Sequence, residues 1–218
     1  MQERISTLTS KVRKALDDIA PDVTVTDSFT PDVDSEIAQA LEHAATSLSR
    51  ELPLELLEPS VIREGASTPT WSRGARQQDG SGYIVLPTNY LRFVSLKMGN
   101  WEGTVNELME KGSEGEKHQR SKWSRGSTTK PKAMLDTDIV TNATKEILRY
   151  WPNVVTNNQN DTLTMLVYVK KASVTSGTLS CALKDEAEKN LIYLACRIFL
   201  EGKKEHTAAE KFAALVTI

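Results

Sequence analysis

Leu183-Lys-Asp-Glu-Ala-Glu-Lys-Asn-Leu-Ile-Tyr-Leu-Ala-Cys-Arg-Ile-Phe-Leu-Glu-Gly202 is the most strongly patterned stretch of the chain, and it reads as a helix. Ala187, Leu191, Leu194, Ala195, Ile198 and Phe199 recur at steps of three and four, which puts them on one stripe. Asp185 and Glu186 suit the N-terminal end of the helix dipole and Lys203 and Lys204 its C-terminal end, with Gly202 placed to terminate it. A short final helix follows with Ala209, Phe212, Ala213 and Leu215. At the other end of the chain, Ile5, Leu8, Val12, Leu16 and Ile19 predict a helix over Gln2 to Ile19. A second begins after Pro31 with Asp34 as N-cap and carries Ile37, Leu41, Ala44, Ala45, Leu48 and Leu52.

Between these helices lie strand signals and two polar stretches. Tyr83 to Leu86 and Leu91 to Met98 read as strands, while Trp101, Val105, Leu108 and Met109 fit a short helix. Glu146 to Trp151 and Thr162 to Lys170 read as two strands, paired antiparallel across an Asn-rich connection. Residues 60–82 and 112–132 lack periodicity and are rich in polar residues and Gly, so they read as arms ordered by a partner. The expected class is α+β: mainly a helical bundle with a small antiparallel sheet or hairpin and two long extended arms, on one domain spanning 1–218.

The 218 residues carry a net charge of −2 and two cysteines, Cys181 and Cys196. That balance excludes a strongly basic nucleic-acid binder by bulk charge, though not a local patch. Two thiols at this spacing make no zinc or redox motif; Cys196, inside an apolar helical pattern, reads as a small core residue, and a disulfide between the two is the lesser alternative. No apolar run approaches the roughly 18 residues of a membrane helix. The opening Met1-Gln-Glu-Arg-Ile-Ser lacks the apolar core of a secretion signal, so synthesis in the cytoplasm is expected.

Chemistry is sparse. His43, His118 and His206 have no metal-ligand spacing, and no nucleophile elbow, phosphate loop or dinucleotide fingerprint occurs. Gly80-Ser-Gly82 precedes a strand instead of opening a helix. Asp136 and Asp138, with Glu146, are the one carboxylate group that could be read as a metal-dependent nuclease. The expectation is no catalytic residue, no cofactor and no metal. The notable feature is basic: Lys111, Lys117, Arg120, Lys122, Arg125, Lys130 and Lys132 surround Trp123, with only Glu114 and Glu116 as acids. Trp71-Ser-Arg-Gly repeats as Trp123-Ser-Arg-Gly, and Arg73 and Arg76 accompany the first tryptophan. Such segments suit a partner subunit or nucleic-acid phosphates, and the plain reading is a solvated loop.

Three stretches carry a resemblance. Leu86-Pro-Thr-Asn-Tyr-Leu-Arg-Phe-Val-Ser-Leu96, Ile147-Leu-Arg-Tyr-Trp-Pro152 followed by Thr162-Leu-Thr-Met-Leu-Val-Tyr-Val-Lys-Lys171, and the closing helices Glu186 to Leu200 and Thr207 to Ala214 resemble the head–tail adaptor proteins of tailed bacteriophages. The long arms are similar to those of the larger ring proteins of crAss-like short-tailed phages. The resemblance implies a structural virion protein at the head–tail junction: a homo-oligomeric ring of about twelve copies. It would bind the portal protein on one side and tail or further ring proteins on the other, with genomic DNA passing transiently through the lumen and no membrane. Phe212, Leu215, Val216 and Ile218 are then candidates for docking on the portal, the alternative being that Phe212 and Leu215 complete the bundle. A nucleic-acid-binding or regulatory module using 111–132 is the second functional expectation.

Overall fold

The computed structural model describes residues 1–21, 31–63, 80–119, 121, 123–140, 143–154 and 162–216. The chain forms two compact units: Met1–Pro59 with Val169–Ile218, and Ser60–Tyr168 between them.

The first unit contains the four long helical patterns. Strand β1 (Gln2–Arg4) leads into α1 (Ile5–Ile19), and α2 (Pro31–Glu51) follows. At the far end of the chain come α4 (Glu188–Gly202) and α5 (His206–Ala213); α3 belongs to the other unit. The stripes face inward as their spacing requires. Leu8, Val12 and Leu16 of α1, Ile37, Leu41 and Leu48 of α2, and Leu191 and Ala195 of α4 are all buried. Helix α4 packs against α1, α2 and α5. Lys11 ties three elements together, donating to Glu3 at 2.8 Å and Glu188 at 2.7 Å. A small sheet closes this unit, in the order β1-β9-β8, with β8 (Ser173–Thr175) and β9 (Thr178–Ser180) joined through Ser176 and Gly177. Both turn residues have positive φ, as the tightest hairpins require.

Two details of the helix ends depart from expectation. Asp34 does not cap α2; the helix starts at Pro31, a residue pre-set for a first turn, and Asp34 accepts from Arg13 at 2.8 and 3.1 Å. At the end of α4 the left-handed residue is Lys204 (φ 65°), not Gly202, and Glu205 N–H closes the turn onto Leu200 O at 2.9 Å.

The second unit overturns the expected helical bundle. Together the two units hold nine strands in three three-stranded sheets beside five α-helices, among the described residues. One sheet has the order β2-β7-β4, from Ser60–Arg63, Leu163–Lys170 and Tyr90–Met98; the other has the order β3-β6-β5, from Gly82–Val85, Ala143–Trp151 and Lys132–Val140. The expected pairing of 146–151 with 162–170 does not form. Strand β6 lies between β3 and β5, its hairpin partner, and β7 lies between β2 and β4, so the two strands belong to different sheets. Trp101 to Met109 is irregular, with bends and two isolated bridges, and forms no helix. Val105 bridges Leu96, Met109 bridges Met134, and the apolar spacing that suggested a helix instead feeds two sheet edges.

The core of this unit joins Ile84, Leu96, Met98, Leu148, Leu163 and Leu166 with aromatic residues. Trp101 meets Tyr150 edge-on at 5.6 Å between centroids and donates its indole N–H to Pro152 O at 3.0 Å. Gly82 is required beside Tyr150, because a Cβ there would fall 2.4 Å from the phenol.

The expected arm at 60–82 lies mostly outside the described residues, and the one at 112–132 is folded where it is described. Ser60–Arg63 is strand β2 and Gly82 opens β3, while 64–79 lie outside the described residues. The described residues of 112–132, all but 120 and 122, form a folded knuckle that includes the short helix α3 (Glu114–Gln119).

Candidate interaction surfaces

The knuckle is held by its own polar side chains. Gln119 is 3% exposed and works as a cross-brace, donating to Gly115 O at 3.0 Å while its Oε1 accepts from Gly126 N–H at 2.7 Å. Ser121 O accepts from the N–H groups of Ser124 and Arg125, and Ser124 Oγ donates to His118 O at 2.9 Å. Ser127 and Lys130 close the next turn, and Thr128 O accepts from Glu102 and Gly103. The Ser and Gly content that reads as looseness in the sequence therefore supplies the bonds of a compact turn.

On this frame Trp123 is 93% exposed. The basic residues divide. Lys111 is paired with Asp136 at 2.5 Å, and the Arg125 guanidinium lies over Gly80, where a Cβ would fall 2.0 Å from Nη1. Lys117, Lys130 and Lys132 are exposed and have no acid partner among the described residues. Arg120, Lys122, Trp71, Arg73 and Arg76 lie outside the described residues.

A comparison of the sequence with protein-family models and with curated proteins finds no match.

At the C-terminus, Phe212 is fully buried and tilted against Tyr193 at 6.2 Å, so it serves the packing of α5 on α4. Leu215 is 41% exposed and Val216 half-buried. Ile218 lies outside the described residues. Both thiols are buried and unpaired, and burial pushes Cys196 up to about 12, which keeps it protonated and unreactive.

The carboxylates Asp136, Asp138 and Glu146 do not converge. In the β5–β6 register Asp136 faces Ile147 and Asp138 faces Lys145, while Glu146 pairs with Thr137 and points to the opposite side of the ribbon. Asp136 is instead bound by Lys111 and by Arg149 at 3.1 Å. Burial raises its pKa, but the Lys111 ammonium, the Thr137 N–H and Arg149 outweigh that and hold the carboxyl below the usual range. Among the described residues no group of three or more acids, histidines or cysteines could hold a metal ion, and no helix is long and apolar enough to cross a membrane.

One surface was not anticipated. Strands β5 and β6 continue their ladder for nine register pairs, from Lys132↔Trp151 to Val140↔Ala143. The proximal part is core, with Ala133, Leu148 and Tyr150 buried. In the distal part Leu135 and Thr137 on one strand and Ala143 through Glu146 on the other are exposed. The β-branched run Thr137, Ile139, Val140, Thr141 and Thr144 was its signal in the sequence.

Proposed function

We propose that the chain is a structural subunit of a ring between portal and tail, where head meets tail in a bacteriophage virion. The reading rests on the family resemblance of the sequence and on one observation from the fold: the distal β5–β6 ribbon, where Thr137 and Ala143 through Glu146 are exposed. A two-stranded ribbon without a face to bury is marginal alone. Its natural stabilisation is a neighbouring copy, which is how a heterologous ring interface adds area. The assembly has about twelve copies, meets the portal protein on one side and tail components on the other, and lets DNA pass through its centre. Leu215 and Val216, just beyond α5, offer an apolar contact to the portal.

The test is assembly. The subunit is mixed with the portal encoded in its own genome and imaged by electron microscopy, beside a variant in which 137–146 is replaced by Asn-Gly. The native chain should form rings on the portal, and the shortened variant should keep its melting temperature but lose the rings. Rings that form equally well without the ribbon reject its role, and no association with portal rejects the function.

A further inference from the structure

We propose that the knuckle bearing Trp123 binds single-stranded nucleic acid, with the indole stacked on an unpaired base and Lys117, Lys130 and Lys132 meeting the flanking phosphates. This inference does not rest on the ring reading.

The first argument is the presentation of Trp123. Its side chain is 93% exposed, yet its backbone sits in a turn fixed by bonds from Ser124 and Arg125 N–H to Ser121 O and from Ser124 Oγ to His118 O. A large aromatic held outward on an ordered turn loses little conformational freedom when it binds.

The second argument is charge. Lys117 belongs to the last turn of α3, whose carbonyl at His118 receives the Ser124 hydroxyl. Gly126 lies against the backbone of Lys130 and Lys132, at 3.2 and 3.1 Å from its Cβ position. All three lysines are thus built into the same knuckle as Trp123. They are exposed, and none has an acid partner among the described residues. Of the two acids in the segment, Glu116 accepts from Gly112 N–H at 2.6 Å, and Glu114 sits at the opposite, N-terminal end of α3.

The third argument concerns the class of partner. Between Lys111 and Lys132, Trp123 is the single large apolar side chain exposed among the described residues, and the other exposed residues of the segment are mainly hydroxyls and cations: Ser121, Ser124, Ser127, Thr129 and the lysines, with Glu114 and His118 on α3. A protein hot spot would set the aromatic among other apolar side chains. An isolated aromatic amid cations fits a polyanion that carries π-faces. In a duplex those faces are stacked on each other, so the ligand is a single strand.

The full-length chain is titrated against a labelled oligo-dT of about twelve nucleotides and against a blunt duplex of equal length, by fluorescence anisotropy at two salt concentrations. Binding should be saturable, stronger for the single strand, and weakened by salt. Trp123→Ala should weaken it about tenfold and Trp123→Phe should restore most of it. Replacing the three lysines with Ser should lower the salt slope by about two. Melting curves and sedimentation are recorded for every variant. Absence of saturable binding, equal affinity for the duplex, or unchanged affinity in Trp123→Ala overturns the proposal. A Trp123→Ala variant that loses self-association while keeping its oligonucleotide affinity assigns the tryptophan to a protein contact and overturns it equally.

Discussion

Gly126 is the residue at which the knuckle has least room for change. A Cβ there would approach three backbone atoms, Trp151 O at 3.0 Å, Lys132 N at 3.1 Å and Lys130 O at 3.2 Å, and none of these can swing aside as a side chain would. Gly126→Ala should therefore cost about 1–3 kcal/mol in chemical denaturation; a variant as stable as the native chain would show that the turn is looser than its hydrogen bonds imply. Asp136 makes the complementary case for charge. Its carboxyl is held below the ordinary range by Lys111, Thr137 N–H and Arg149 despite burial. A depressed folded pKa means that the contribution is complete above the unfolded value, near about 4, and disappears as pH falls through the folded one. Asp136→Asn leaves Arg149 short of its partner and should cost about 1–3 kcal/mol at neutral pH. That deficit should shrink below about pH 4, so a gap between variant and native chain that persists undiminished at lower pH would exclude this origin.

At the scale of elements, the helices were legible and so were the strands at 83–86, 91–98, 146–151 and 162–170, while their pairing, β5 and the short strands were not. The stripes of α1, α2 and α4 repeat within a few residues, so the sequence carries them locally: Leu8, Val12 and Leu16 are all buried as their spacing requires. Strand β5, Lys-Ala-Met-Leu-Asp-Thr-Asp-Ile-Val140, places apolar residues on both faces and acids on one, and so has no clean period. It becomes a strand because β6 offers a nine-pair ladder, information that lies in the partner. Trp101 to Met109 failed for the related reason that its spacing satisfies a helix while Leu96 and Met134 supply strand edges. The Trp123 site was half legible. The cluster of cations could be read from the sequence, but the diversion of Lys111 to Asp136 and of Arg125 to Gly80 could not. The ribbon itself makes an element-level prediction. In the isolated chain the amides of 137–140 and 143–146 should exchange with solvent far faster than those of 133–134 and 147–150, because the latter pack into the buried part of the sheet. Assembly should slow the distal set. Equal protection of both halves in the free subunit would mean that the ribbon already has its partner.

At the scale of the whole molecule, the decisive fact is that the second unit leaves and rejoins the first through adjacent strands. Ser60 is paired with Tyr168 in the β2–β7 register, so the inserted segment begins and ends at one place on one sheet. Its apolar cluster, from Ile62 to Tyr168, lies within the insertion. A segment with joined ends and its own core meets the conditions for independent folding. The fragment 60–170, which keeps all of β7, should therefore unfold in a single cooperative transition and give dispersed amide resonances. The knuckle and the β5–β6 ribbon both belong to this insertion, so the fragment should bind the oligonucleotide as proposed for the full chain while lacking α5 and Leu215. A fragment that is molten, with broad resonances and no cooperative transition, would show that the insertion takes its order from the helical unit, and that the two cannot have separate tasks.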